Sequence, residues 1–146
     1  MYDYSYQEFL EDLDLFITRL GDYRPDVILA IARGGVTFGH FLSERLKIRD
    51  LFTLNSIHYD NTRKLDTIKL YNIPPLPEEA NVLIVDDIVD SGETLQAIIR
   101  RLEAKFPKTH FKTGTIFTKQ DAIIQPDFSC KEAKEWIRFF WNPPEK

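Results

Sequence analysis

The stretch 82–94 constrains the fold of this chain more than any other part of the sequence. It opens with an uninterrupted apolar run, as expected for a strand buried on both faces of a parallel sheet. Asp86 and Asp87 follow at the carboxyl end of that strand, where open α/β sheets bind their ligands. A turn that contains Gly92 then leads into helical apolar spacing over 95–102. The stretch therefore predicts a strand–turn–helix unit of an α/β protein, with a ligand site at the carboxyl edge of its sheet.

The polar residues of this stretch favour an anionic ligand that carries a sugar. A glycine-containing turn that opens a helix presents backbone N–H groups at the positive end of the helix dipole, which suits a phosphate. The adjacent acids Asp86 and Asp87 suit sugar hydroxyls or Mg²⁺, since that ion prefers carboxylate and phosphate oxygens. One short segment therefore offers places for a phosphate, a ribose and a metal ion.

Strands and helices alternate along the rest of the chain. Ser5 and Glu8 fit a capping box at the start of an amphipathic helix, and Gly21 ends that helix. The further predicted elements are strands over 27–31, 51–57, 68–73 and 110–117, a helix over 36–46, and a helix from 95 to about 105. Alternation of this kind implies right-handed βαβ units, so the sequence predicts an α/β protein with a central parallel sheet. No clear period is visible after 119.

Composition bounds the class of protein. With 146 residues, of which 43% are hydrophobic and 29% charged, we expect a single globular domain over 1–146. The net charge of −4 gives no electrostatic footprint for nucleic acid, and the lone Cys130 allows no internal disulfide. No signal peptide and no apolar run of ~18 residues is visible, so we expect no membrane span and a cytoplasmic protein.

Residues 82–94 resemble the phosphoribosyl diphosphate (PRPP) signature of the type I phosphoribosyltransferases. That signature is a hydrophobic strand, two acids, two apolar residues, an Asp or similar residue, and then Thr or Ser, Gly, any residue and Thr. Asp90, Ser91 and Thr94 complete the pattern here, so every position is met. The resemblance implies the fold of that family, which is a central parallel sheet with helices on both faces and a small C-terminal hood.

The resemblance also implies roles for the residues of the signature. Asp86 and Asp87 would bind the ribose hydroxyls of PRPP, directly or through Mg²⁺ as the cofactor. Asp90 would lie over the purine imidazole as the catalytic residue and assist proton movement at N7. The residues implied for the 5′-phosphate are Asp90, Ser91, Gly92, Glu93 and Thr94.

A second loop, at 32–35, follows the strand 27–31. Its backbone N–H groups and the Arg33 guanidinium could hold a diphosphate, although a glycine turn with a solvated arginine is an equal alternative. The resemblance assigns Arg33 and Gly34 to the leaving diphosphate. Because the matching family loop often contains a cis peptide before a residue other than proline, we expect the Ala32–Arg33 peptide to be cis, or able to become cis when diphosphate binds.

A long polar segment at about 58–67 falls where the family has its mobile loop. Such a loop would exclude water from a reacting ribosyl cation. Purine-salvage members commonly begin this loop with Ser-Tyr, whereas His58 and Tyr59 stand here. The alternative for His58 is an ordinary surface histidine.

The base site is implied by the segment at about 119–146, which would form the hood. In bacterial xanthine-guanine phosphoribosyltransferases, a similar strand ends in a lysine that reaches the 6-oxo group of the purine. A later Trp-Ile pair stacks on the base and offers main-chain carbonyls to it. Lys119, Trp136 and Ile137 match this order, although Lys119 could be a surface lysine and Trp136 a core aromatic. Arg138 stands near the place where relatives often carry an acid that helps to hold a second metal.

These implications predict an enzyme of purine salvage. It would transfer the 5-phosphoribosyl group from PRPP to a 6-oxopurine with Mg²⁺ and release diphosphate, and it would form a homodimer or homotetramer. The alternatives are a phosphoribosyltransferase for another nucleobase, and a non-catalytic regulator that senses PRPP on the same fold.

Overall fold

The structure is a computed structural model that describes residues 1–58 and 68–144. The elements in chain order are β1 (Tyr2–Tyr4), α1 (Tyr6–Leu20), β2 (Val27–Ala32), α2 (Val36–Leu46), β3 (Leu51–His58), β4 (Ile68–Tyr71), β5 (Asn81–Val89), α3 (Glu93–Lys105), β6 (His110–Thr118), β7 (Lys131–Glu132) and β8 (Ile137–Phe139). No helix in these ranges is long and apolar enough to cross a membrane.

Six of these strands form one sheet in the order β4-β3-β2-β5-β6-β7. Every neighbouring pair in it is parallel except β3 and β4, which are antiparallel. The predicted parallel sheet is therefore confirmed, with one antiparallel strand at its edge. The two central strands, β2 and β5, are joined in register from Val27 opposite Val82 to Ala30 opposite Val85.

The helices cover both faces of the sheet, as predicted. The two faces differ because successive side chains of a strand point in opposite directions. Ile28 and Leu83 pack with α1 and α2 in one buried cluster, whereas Leu29 and Ile84 pack with α3 in the other. The carboxyl ends of the parallel strands consequently lie together along one edge between the two helical layers.

The ends of α1 follow from local chemistry. The Ser5 side chain accepts a hydrogen bond from the Glu8 N–H, and the Glu8 carboxylate accepts one from the Ser5 N–H, so the predicted capping box is present. Gly21 ends the helix with a φ of 58°, a value that favours glycine.

Three short strands, β1, β7 and β8, were not predicted from the sequence. β1 and β8 pair in parallel as a separate two-stranded sheet, which brings the residues at 2–4 against those at 137–139. Tyr4 lies at the centre of this contact, where its ring packs edge-on against Phe117 and Phe139. The segment that the sequence left without a period is therefore fixed by a partner at the other end of the chain.

Candidate active site

A cavity of about 920 Å³ opens at the carboxyl edge of the sheet. It is lined by residues from the ends of β3 and β5, from the start of α3, from the segment directly after β6 and from the C-terminal segment. The predicted site residues that it brings together are Asp86, Asp87, Asp90, Ser91, Gly92, Thr94, Lys119, Trp136 and Ile137. The other three predicted residues, Arg33, Gly34 and Glu93, do not line it, although Gly34 lies against Asp87.

The acidic pair lies inside β5, because this strand continues to Val89 instead of ending at 85. Each carboxylate accepts a hydrogen bond from the next backbone N–H: Asp86 from Asp87 at 2.8 Å and Asp87 from Ile88 at 2.8 Å. Burial raises the pKa of both carboxyl groups, and the neighbouring Asp87 charge raises the pKa of Asp86 further. No Lys or Arg in the described part of the chain forms a salt bridge with either carboxylate. A cation that arrives with a ligand would therefore stabilise the charged form of the two carboxylates.

The pair fits a magnesium ion that shares its ligands with a substrate. Mg²⁺ is typically held by one or two carboxylates together with substrate phosphates and water. Within 1–58 and 68–144 no group of three or more His, Cys, Asp or Glu side chains could hold a metal. Asp86 and Asp87 could supply the protein's share of such a coordination shell, and the remaining ligands would come from outside the protein.

The loop between β2 and α2 approaches the acidic pair closely. The Ala32–Arg33 peptide is cis, as predicted. A Cβ atom on Gly34 would lie 2.5 Å from the Asp87 Oδ2 atom, and one on Gly35 would lie 2.6 Å from the Val85 carbonyl oxygen. Glycine at both positions therefore allows the loop to lie against the carboxylates. The Arg33 side chain is exposed.

The turn before α3 has the form expected of an anion site. Gly92 is the N-cap residue of this 13-residue helix and has a φ of 88°, which glycine adopts without strain. Ser91 holds the turn, since its Oγ accepts from the Glu93 N–H at 3.3 Å and its carbonyl accepts from the Ile123 N–H at 2.8 Å. The N-cap residue Gly92 makes no side-chain hydrogen bond to the helix. Its first N–H groups and the positive end of its dipole are thus suited to a phosphate.

His58 lines the cavity, so the alternative of a surface histidine is wrong. Its Nε2 atom lies 3.2 Å from the Thr94 Oγ1 atom, in the first turn of α3. Its Nδ1 atom is buried without a hydrogen-bond partner among the described residues. The rest of the predicted mobile loop, 59–67, lies outside the described residues.

Asp90 and Lys119 form an ion pair in the lining of the cavity. The Lys119 Nζ atom lies 2.7 Å from the Asp90 Oδ1 atom, and the two side chains are 42% and 39% exposed. The backbone holds the strand ends together as well, because the Lys119 N–H donates to the Val89 carbonyl at 3.0 Å. Lys119 therefore lines the cavity and is paired there with Asp90.

Trp136 lies at the mouth of the cavity with 75% of its surface exposed, so it is not a core aromatic. The Trp136 carbonyl, which we expected to face the base, accepts a hydrogen bond from the Tyr2 N–H at 2.8 Å. Arg138 joins β8 to β1, because its Nε donates to the Asp3 Oδ1 atom at 2.6 Å.

The sequence reasoning missed several residues that line the cavity. They are Ser56, Gln120, Asp121, Glu132, Ala133, Lys134, Glu135, Phe139 and Asn142. Most of them lie in the segment without a hydrophobic period, where no sequence signal could have found them. Ser56 could have been found, because it precedes His58 by two residues on the same face of a strand.

The sequence matches the family model of the phosphoribosyl transferase domain over residues 11–146. This chain belongs to the phosphoribosyltransferase family. The curated relatives include the xanthine-guanine phosphoribosyltransferase of Ruegeria sp. (strain TM1040), which is 29% identical over 152 residues that cover 94% of this chain and 83% of that protein.

Solved structures agree with this assignment. The xanthine-guanine-hypoxanthine phosphoribosyltransferase of Helicobacter pylori is 36% identical, with a TM-score of 0.88 over 96% of this chain and 92% of that one. The purine phosphoribosyltransferase of Pyrococcus horikoshii is 26% identical, with a TM-score of 0.83 over 99% of this chain and 95% of that one. The chain is therefore an enzyme of the phosphoribosyltransferase class, and these similarities support activity on purines.

Proposed function

We propose that this phosphoribosyltransferase transfers the 5-phosphoribosyl group of PRPP to a 6-oxopurine in a Mg²⁺-dependent reaction that yields a nucleoside monophosphate and diphosphate. The observation that carries the proposal is the contact of 2.7 Å between Lys119 Nζ and Asp90 Oδ1 in the cavity. This contact puts a charged donor beside a charged acceptor. A 6-oxopurine presents the complementary pair on one edge, with the 6-oxo group as acceptor and N7–H as donor.

Adenine fits this pair poorly. Its 6-amino group is a donor, and an ammonium group has only donors to offer. The bound amine would leave the Lys119 charge without the acceptor that it has in the free enzyme. Sites built around one hydrogen-bond partner reject the mismatched analogue strongly.

The acidic pair supports the ribose and metal assignment. Asp86 and Asp87 would orient the ribose hydroxyls, directly or through Mg²⁺, at a place where burial raises the pKa of both carboxyl groups. When bound, Mg²⁺ would neutralise charge that develops on the departing diphosphate. The exposed Arg33 and the Gly34 backbone, beside the pair, would bind that diphosphate.

The remaining groups divide the work of transfer. The N–H groups of 91–94 would bind the 5′-phosphate at the start of α3, together with the backbone of Asp90 at the edge of the turn. The bond from a purine nitrogen to the ribose C1′ would form as the bond from C1′ to the diphosphate oxygen breaks, and Asp90 would accept the N7 proton. Trp136 would stack on the base, and Ile137 would close the site beside it. The hood at about 119–146 of a single 1–146 domain would exclude water, and we assign the same task to the loop predicted at about 58–67, most of which lies outside the described residues.

An assay of diphosphate release tests this function. The enzyme is incubated with PRPP, Mg²⁺ and one base at a time, namely guanine, xanthine, hypoxanthine, adenine, uracil or orotate. We expect release with one or more of the three 6-oxopurines and none with the others. Release with adenine or a pyrimidine alone would overturn the base assignment, and no release with any base would favour a PRPP-binding regulator.

Assembly is a separate prediction. A homodimer or homotetramer is expected, and sedimentation equilibrium of the full chain would distinguish these from a monomer.

A further inference from the structure

His58 is placed to act on the phosphate turn from a different strand. It is the last residue of β3 and lies on the same face of this strand as Leu54, which is buried in the cluster that contains α3. Its side chain therefore lies on the α3 side of the sheet, where Nε2 is 3.2 Å from the Thr94 Oγ1 atom. Thr94 is the fourth residue of the turn to which the proposed function assigns the 5′-phosphate.

The direction of this hydrogen bond decides what the Thr94 hydroxyl can do. A hydroxyl group has one proton to donate. If Thr94 donates that proton to Nε2, the hydroxyl can offer only lone pairs to a phosphate oxygen, and two acceptors would face each other. If Nε2–H donates to Oγ1 instead, the Thr94 proton is free to bond the phosphate.

The surroundings of the other ring nitrogen favour the second arrangement. Nδ1 is buried without a partner among the described residues. Among backbone groups, a buried N–H donor without a partner is rarer than a buried acceptor without one. By the same reasoning, Nδ1 is more favourable here as an acceptor that carries no proton. A neutral imidazole with a bare Nδ1 carries its proton on Nε2, where Thr94 can accept it.

We propose that His58 is a positioning residue of the 5′-phosphate site, which donates its Nε2–H to Thr94 and thereby directs the Thr94 hydroxyl proton toward the phosphate. This inference rests on the proposed function, since it takes the turn at 91–94 as the place of the phosphate. It assigns a binding task to the position at which related purine-salvage enzymes commonly carry a serine.

The test compares a ligand with and without the phosphate. Binding of guanosine 5′-monophosphate and of guanosine is measured by titration calorimetry on the full chain, wild type and two variants. His58→Asn puts an amide near the place of Nδ1, whereas His58→Gln puts its amide N–H near that of Nε2. We expect His58→Asn to weaken monophosphate binding by about 3- to 10-fold, the range that corresponds to one neutral hydrogen bond, and to leave guanosine binding unchanged. His58→Gln should restore most of the loss.

A double-mutant cycle separates positioning from a loss of structure. In a Thr94→Val background, His58→Asn should weaken monophosphate binding no further, because the hydroxyl through which it acts is gone. Ile57→Ala is the matched control, since Ile57 is 52% exposed and lies on the opposite face of the same strand. It should bind both ligands as the wild type does.

The outcomes distinguish the two proposals. Wild-type enzyme that binds the monophosphate no better than guanosine would contradict the phosphate site itself. A wild type that prefers the monophosphate, with His58→Gln as weak as His58→Asn or with additive effects of His58→Asn and Thr94→Val, would overturn the role of His58 alone.

Discussion

Asp90 and Lys119 form an ion pair in the free protein that keeps both charges paired before a ligand binds. Their charges lie 2.7 Å apart in the free protein, so neither has to be held unpaired in the cavity before a ligand arrives. The edge of a 6-oxopurine would replace this contact with two hydrogen bonds, one from Lys119 to the 6-oxo group and one from N7–H to Asp90. The pair therefore links proton acceptance to the choice of base.

The first prediction concerns Asp90. Asp90→Asn should lower turnover by about 10²- to 10⁴-fold, the usual range for a general acid–base group, because an amide cannot accept the N7 proton. PRPP binding should be largely kept, so the KM for PRPP and kcat are measured separately. Asp22→Asn, an exposed carboxylate outside the cavity, is the control. Wild-type turnover in Asp90→Asn would remove this residue from the mechanism.

The second prediction concerns Lys119. Wild-type enzyme should favour guanine over adenine by ~10⁴-fold or more in kcat/KM. Lys119→Gln should narrow that gap, since an amide can both donate and accept. Comparable kcat/KM for adenine and guanine in the wild type would contradict the role of Lys119. If the variant still rejects adenine fully, the discrimination does not depend on Lys119.

At the scale of elements, the sequence predicted the helices and strands that depend mainly on interactions between neighbouring residues. The capping box of α1, the buried strands β2 and β5, and α3 each follow from residues close in sequence. β1 and β8 could not be predicted, because each has three residues and its backbone hydrogen bonds depend on a partner more than 130 residues away. β5 was predicted too short, since the half-buried acids Asp86 and Asp87 interrupt its apolar run although the ladder with β6 continues to Val89.

The loop between β2 and α2 gives the third prediction, in which two neighbouring glycines should fail in different ways. Neither has a positive φ, so only the added Cβ atom matters. On Gly35 it would meet the Val85 carbonyl at 2.6 Å and the Asp86 Cα at 2.8 Å, both of which are backbone atoms. Gly35→Ala should therefore destabilise the fold by about 1–3 kcal/mol, the usual cost of overpacking. Urea denaturation measures this cost.

Gly34→Ala is the matched partner of that variant. Its Cβ would meet the Asp87 carboxylate, which can rotate away. Stability should change less than in Gly35→Ala, whereas diphosphate release should fall because Asp87 is displaced. Equal destabilisation by both substitutions, with equal activity, would contradict this account.

At the scale of the whole molecule, the site depends on contacts between distant parts of the chain. The signature residues were predictable because they share one strand–turn–helix unit. The contribution of His58 was not, since only the packing of β3 against α3 brings it to Thr94. The C-terminal side of the site also depends on residues that are distant in sequence. The buried Asp12 carboxylate accepts a hydrogen bond from the Tyr4 hydroxyl at 2.6 Å and forms an ion pair with Lys131 Nζ at 3.1 Å. These contacts connect α1, β1 and β7.

The acidic pair gives the last prediction, whose readout is the stability of the whole fold. Burial raises the pKa of Asp86 above its unfolded value of about 3.9, and the Asp87 charge adds to that rise. Between the unfolded and the folded pKa, the folded state holds more protons than the unfolded state. The free energy of unfolding therefore falls as pH rises through this window, starting near pH 4.

Asp86→Asn should remove that loss, because an amide stays neutral at every pH in the range. At pH 7 the variant should be more stable than the wild type by about 0.5–2 kcal/mol, the usual size of a gain made at the expense of function. Its stability should depend less on pH, and its diphosphate release should be lower. Urea denaturation from pH 4 to pH 8 without Mg²⁺ measures the first two effects, with Asp22→Asn as the exposed control.

PRPP with Mg²⁺ should then raise the Tm of the wild type more than that of the variant, since tighter binding to the folded state adds more stability. A variant that is less stable than the wild type at pH 7, with the same pH dependence, would show that the acidic pair does not strain the free fold.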